Sequence, residues 1–168
     1  MVNALDLGAF GRLEPLYGVD GTLTKIVAYG LAPEGLRVDA FLEGTCYGDE
    51  PFAHAGVTGV SYLNFRLDGV ATFEFRADIH TVSGLDIAGT VLGYAIPPDD
   101  FVLPSPADVL EPDFAWPDVW FRVSAFITYR TDHALAWLNR TVVAAEGGVN
   151  PGLREFSHKM SVLRPPLG

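Results

Sequence analysis

The chain has 168 residues, within the size range of a single domain. Eleven Lys and Arg stand against twenty-one Asp and Glu, a formal net charge of −10 with no basic run. That balance excludes a nucleic-acid backbone or an anionic membrane surface as partner, because both require clustered positive charge.

Taken along the chain, period-two runs predict strands over 23–30 and 36–46. A hairpin follows, with strands over 60–67 and 70–81 about an Asp68-Gly69 turn. Further strands are predicted over 85–95, 119–130, 136–145 and 155–163. In 119–130, Val119, Phe121, Val123, Ala125, Ile127 and Tyr129 share one face. The segment 97–118 breaks the pattern, with six of the twelve prolines and six acidic residues. Proline removes a ladder donor, so a long loop is expected here, with Phe101, Val102, Leu103, Phe114 and Trp116 packing over a barrel mouth. Asp108-Val109-Leu110 starts one helical turn. About eight evenly spaced strands predict an all-β chain, a single antiparallel β-barrel domain over 1–168.

The most informative run is 70–81. Its odd positions from 71 to 79 are apolar, and its even positions are Thr72, Glu74, Arg76, Asp78 and His80. Facing outward, this row is a solvated surface. Facing inward, it lines a polar cavity in which the charges must be paired or hydrated, with shifted pKa values. On the inward reading Glu74, Arg76, Asp78 and His80 are the candidate catalytic groups. Candidate ligand contacts are Tyr62, Tyr94, Trp137 and Asn139. On a strand Trp137 would form an apolar wall and Asn139 would donate to a ligand oxygen. The alternative is a core tryptophan, with Asn139 satisfying backbone.

The hydrophobic fraction of 49% supplies a core. The single cysteine, Cys46, excludes an intrachain disulfide and a Cys-based zinc cluster, fits a reducing cytoplasm, and reads as inert core. His54, His80, His133 and His158 have no metal-ligand spacing, and no phosphate-binding or nucleophile motif occurs, so neither a metal nor a cofactor is expected. No leader and no membrane-length apolar run is apparent, so the expected location is cytoplasmic.

Phe121-Arg122, Tyr129-Arg130-Thr131 and the block Ala136-Trp137-Leu138-Asn139-Arg140-Thr141-Val142 resemble the closing signature of the domain of unknown function 3237 family. In the same order, Asp68-Gly69-Val70 and Glu74-Phe75-Arg76 resemble its D-G-V and D-x-R segments, and Thr81 with Gly84 resembles its turn. The resemblance spans roughly 36–146 and implies a small closed barrel with a central cavity, with Glu74 and Arg76 as the matched pair. The chain departs from the pattern at Ser61, where an Asp is usual, at Tyr62, where a Trp is usual, and at Ser83 in the turn.

These features predict a cofactor-independent enzyme of the isomerase, cyclase or lyase type, acting by acid–base chemistry on a small apolar or aromatic metabolite. The alternative is a non-catalytic binder or carrier of an apolar ligand. A third arrangement is an assembly module, with outward strand faces making a homo-oligomer.

Overall fold

The computed structural model describes residues 12–164, the side chains of 133, 134 and 164 excepted. The start of the chain, where no leader is expected, lies outside the described residues. Eight strands follow one another: β1 (Arg12–Ala32), β2 (Gly35–Gly48), β3 (Gly56–Phe65), β4 (Ala71–His80), β5 (Asp86–Ile96), β6 (Phe121–Arg130), β7 (Val143–Asn150) and β8 (Glu155–Arg164). Each pairs with its neighbour in sequence, and β8 returns to β1, with Arg12 opposite Arg164 and Thr22 opposite Glu155. The sheet is therefore a closed barrel, as expected, and closure leaves no open edge to template aggregation.

Alternation sets the inner wall. In β6, Phe121, Val123, Ala125, Ile127 and Tyr129 are buried and every residue between them is exposed. In β8, Phe156, Met160 and Val162 are buried on the face that also carries His158. Glycines on this inner face shape it further. A Cβ on Gly59 would lie 2.4 Å from the Phe75 ring, and one on Gly21 2.5 Å from the Phe156 ring. One on Gly147 would lie 2.6 Å from His158 Cδ2. Rings that would otherwise project across the barrel thus lie along a bare stretch of neighbouring backbone.

Both ends are covered. The proline-rich segment 97–120 crosses the end where β1, β3, β5 and β7 finish. It carries one short helix, α1 (Pro106–Val109), capped by Ser105, whose hydroxyl accepts from Asp108 N–H at 3.2 Å. Phe101 packs edge-on against Phe121, with centroids 5.0 Å apart, and Phe114 against Trp116 at 5.2 Å. Leu103, Val109 and Trp116 join the same apolar cluster, but Val102, expected to pack, is 83% exposed. The segment is tied down by Asn150, which is fully buried and donates to Asp118 at 2.8 Å. The opposite end is filled by Phe52, Ala55, Leu135 and Leu138.

Two predicted elements differ. Residues 136–145 do not form one strand: His133–Arg140 is a 3₁₀ helix and β7 begins at Val143. Side chains three apart eclipse in a 3₁₀ helix, which brings Leu135 and Leu138 together on the buried side. β1 is also longer than the predicted 23–30, because Pro15, Gly18 and Gly21 look like breakers but are accommodated. Pro15 adjoins a bulge opposite β8, the Tyr47 ring covers Gly18, and Phe156 covers Gly21.

The glycine wall is testable. Gly59→Ala places its methyl 2.2 Å from the Arg76 carbonyl oxygen as well as against Phe75. Backbone cannot yield as a flexible side chain does, so the substitution is expected to destabilise the barrel by about 1–3 kcal/mol. Urea denaturation measures this, with Gly84→Ala as a turn comparison where the new methyl meets nothing within 4 Å but sits at a φ of 83°.

Candidate functional site

The barrel encloses a cavity of about 90 Å³ in its main chamber. A second lobe of about 60 Å³ lies under the proline segment. The two share Leu23, Ala40, Leu63, Ala95 and Val149 as walls, so they lie next to each other inside the barrel. The main chamber has room for more than a single water.

The lining is almost wholly aliphatic and aromatic. The polar side chains of the main chamber, besides the thioether of Met160, are Tyr17, Ser61, Tyr129 and His158; the second lobe adds the Trp116 indole, and none of the lining residues of either is Asp, Glu, Lys or Arg. Tyr17 and Tyr129 join their hydroxyls at 2.6 Å, and Tyr17 stacks on Phe52 with centroids 4.2 Å apart. Burial pushes the Tyr17 hydroxyl well above its ordinary pKa, with the neighbouring Tyr129 adding to the shift. Burial also raises Tyr129, partly offset by its hydrogen bond to Tyr17. Neither ionises at neutral pH. Cys46 is buried beside them, its thiol pushed up to about 12 by desolvation, which makes it an inert core residue.

His158 is the exceptional group. Its ring lies 5.5 Å from the Phe156 ring, nearly parallel to it, and its Nε2 is enclosed without a hydrogen-bond partner. Burial disfavours the imidazolium and lowers the pKa to about 4, against a weaker opposing pull from Asp20. The ring is therefore neutral at pH 7.

The residues singled out from the sequence lie elsewhere. Glu74, Arg76, Asp78 and His80 are on the outer face of β4, because Ala71, Phe73, Phe75, Ala77 and Ile79 take the inner one. Arg76 Nε donates to Glu74 at 2.8 Å, with the Arg76 side chain 71% exposed. His80 Nδ1 meets Asp86 at 2.7 Å at the surface turn. The inward charge row is thus corrected: these four groups meet water, and none lines the cavity. Tyr62 and Tyr94 are out of phase with the inward Ser61 and Ala95 and also face outward. The Arg37 guanidinium lies over the Tyr62 ring at 5.2 Å while its Nε donates to Asp39 at 2.8 Å, and Tyr94 is half-exposed. Trp137 is partly exposed on the 3₁₀ helix, away from the cavity wall. Asn139 holds the turn before that helix: its Oδ1 accepts from Thr131 N–H at 2.9 Å and its Nδ2 donates to the Thr131 carbonyl at 2.6 Å. It satisfies backbone, the structural alternative raised for it above.

Four polar cavity groups were missed as site residues: His158, Tyr17, Tyr129 and Ser61, the last read only as a departure from the family pattern. His158 had a readable signal, a lone imidazole in the apolar row Phe156, His158, Met160, Val162. Among the described residues no three His, Cys, Asp or Glu side chains converge on a point where a metal ion would be held.

No family model matches the chain, and no curated protein does. Solved structures do. A protein of unknown function from Clostridium acetobutylicum is 16% identical with a TM-score of 0.72, covering 92% of this chain and 97% of its own. A conserved protein of unknown function from Rhodopseudomonas palustris is 14% identical with a TM-score of 0.68, over 91% and 99% of the two chains. A beta-barrel like protein from Acinetobacter baumannii is 19% identical with a TM-score of 0.67, over 91% and 96%. These likenesses establish the barrel fold over nearly the whole chain.

Two measurements follow from the buried polar groups. Tyr17→Phe or Tyr129→Phe alone strands the partner hydroxyl and is expected to cost about 1–3 kcal/mol, whereas the double Phe variant is close to neutral. Denaturation of the four members of this cycle measures the coupling. For His158, the unfolded imidazole titrates near 6.5 and the folded one near 4. Between those values the unfolded chain binds more protons, so this group makes stability fall as pH drops from about 6.5 toward 4 and leaves it flat above. The loss between pH 7 and pH 5 is about 2 kcal/mol. Urea midpoints at the two pH values should show this extra loss in the native chain and not in His158→Gln.

Proposed function

We propose that the barrel binds a small, mostly apolar molecule in its interior cavity and acts as a binder or carrier. The observation that carries this reading is the lining: hydrocarbon walls with four uncharged polar side chains and no ionised group. Such a space favours transfer of apolar surface out of water, and an apolar cavity of this kind holds water poorly. Charged pairs on the outer faces, such as Glu74 with Arg76, support a barrel that works in water. Among the described residues no helix is long and apolar enough to cross a membrane. Kinship with the domain of unknown function 3237 family belongs to the same proposal. It is supported by the block Ala136 to Arg140, which folds into the cap over one barrel end.

A cofactor-independent acid–base enzyme is the second reading, and one observation favours it: an unpartnered imidazole inside the cavity. That enzyme would use His158 in place of the outward Glu74, Arg76, Asp78 and His80. Its chemistry is weaker than the binding reading for a physical reason. An imidazole lowered to about 4 is a poor base at neutral pH, and no carboxylate on the cavity wall stands ready to orient or recharge it.

Ala145→Leu, which adds bulk to a buried wall position, is expected to weaken binding of cyclohexanone at least tenfold by ligand-observed NMR. The double change Glu74→Gln with Arg76→Met should leave it unaltered. Loss of binding in the latter pair would move the site to the outer face. The same spectra in D2O separate the two readings: a carrier leaves exchange of the ketone's α-protons at the buffer rate, and a proton-transfer enzyme accelerates it.

A further inference from the structure

Among the described residues, His158 Nε2 is the enclosed side-chain nitrogen or oxygen left without a hydrogen-bond partner. The ring is held in place by Phe156 beside it and by the bare backbone of Gly147 behind it. Its position in the register is also informative. His158 pairs with Val19 and Met160 with Tyr17, so His158 and Tyr17 are diagonal neighbours on the inner wall. Such neighbours are roughly 7–8 Å apart between Cα atoms. The Tyr17–Tyr129 pair has two hydroxyl hydrogens and one mutual hydrogen bond, so one hydrogen is left to donate. His158 and the tyrosine pair therefore lie on one part of the cavity wall, and Ser61 on β3 is the other polar group of the main chamber.

We infer that the ligand is a neutral, mostly hydrocarbon molecule with one hydroxyl or carbonyl group, and that this group hydrogen-bonds His158 Nε2. The inference rests on the binding reading above and deepens it. A neutral imidazole nitrogen accepts from an alcohol in one tautomer and donates to a carbonyl in the other, so both classes fit. A carboxylate does not fit. No Lys or Arg lines the cavity to pair with it, and an unpaired charge in an apolar space is strongly disfavoured. Size sets a further bound. A main chamber of about 90 Å³ has room for a small molecule and not merely for a single water. A longer hydrocarbon tail would reach into the lobe beneath the proline segment.

The test uses four probes of one ring size: cyclohexanol, cyclohexanone, methylcyclohexane and cyclohexanecarboxylate, titrated at pH 7 into the full chain with ¹⁵N-labelled histidine. Cyclohexanol and cyclohexanone are expected to bind and to shift the His158 imidazole nitrogen resonances, while the carboxylate binds at least tenfold more weakly. In His158→Leu the alcohol and the ketone should lose about tenfold in affinity and methylcyclohexane should hold or gain. The resonance shifts in the unsubstituted chain give the same answer if His158→Leu fails to fold. If methylcyclohexane binds as tightly as cyclohexanol and the His158 resonances do not move, the inference is overturned and the apolar binding reading stands. That is also the result expected if Nε2 bonds only to a resident water. Tight binding of the carboxylate overturns the choice of a neutral ligand. Failure of all four probes to bind overturns the binding reading and this inference with it.

Discussion

The close approach of aromatic rings to bare backbone on the inner wall is the contact on which the cavity depends. An eight-stranded barrel has an interior that side chains of ordinary size can fill completely. Here Phe75 lies on Gly59, Phe156 on Gly21 and Gly44, and His158 on Gly147. Each ring turned aside in this way contributes apolar surface to the wall without occupying the axis. Alanines at 40, 77, 95, 125 and 145 keep the rest of the lining short. The barrel thus buries its aromatic residues and keeps a hollow. This arrangement is conspicuous because empty apolar space costs stability in a protein that has no use for it.

Closure imposes the second constraint. Once β8 pairs with β1, every strand has one inner and one outer face, and the phase of each strand decides where its charges go. In β4 the choice lies between enclosing Phe73, Phe75 and Ile79 or enclosing Glu74, Arg76 and Asp78. Enclosing the charges would desolvate at least three ionised groups in a space whose other walls supply no partners. Placing them outside costs little, because an exposed pair such as Glu74 and Arg76 keeps its water and is screened by it. Desolvation settles the phase, and it removes ionised groups from the cavity as a consequence.

Much of this was legible from the residues. The all-β class, the strand number and the hairpin at Asp68-Gly69 all follow from period-two alternation and turn chemistry, and Gly69 has the expected positive φ of 80°. The covering role of the proline-rich segment was legible from its stranded aromatic residues. The candidate site was less so. Alternation in 70–81 separates two faces but is silent on which one is inside, since that depends on what the other seven strands offer. The stretch 136–145 has apolar residues compatible with a strand. A 3₁₀ helix prevails there because Leu135 and Leu138 fill the barrel end and Asn139 ties the chain back to Thr131. The first half of β1 was hidden because its glycines have their reason in rings more than twenty residues away, Tyr47 and Phe156.

The same logic gives His158 its significance. Its strand has Phe156, Met160 and Val162 on the inner face, and any apolar residue at 158 would complete that row without leaving a polar atom unpaired. Histidine there sacrifices stability, since the enclosed nitrogen has lost its water and gained no protein partner. The tyrosine hydroxyls resolve the same problem by bonding each other, and Asn150, fully buried at the opposite end, by bonding Asp118 and the Leu153 N–H. A barrel that leaves one enclosed imidazole nitrogen unpaired in its cavity wall, beside only the Ser61 hydroxyl and one spare tyrosine hydrogen, presents few hydrogen-bonding points in a hydrocarbon lining. Such a point adds little affinity over water for a partner it matches. It penalises any molecule that cannot match it, and in a space otherwise indifferent to chemistry that penalty is the main source of selectivity.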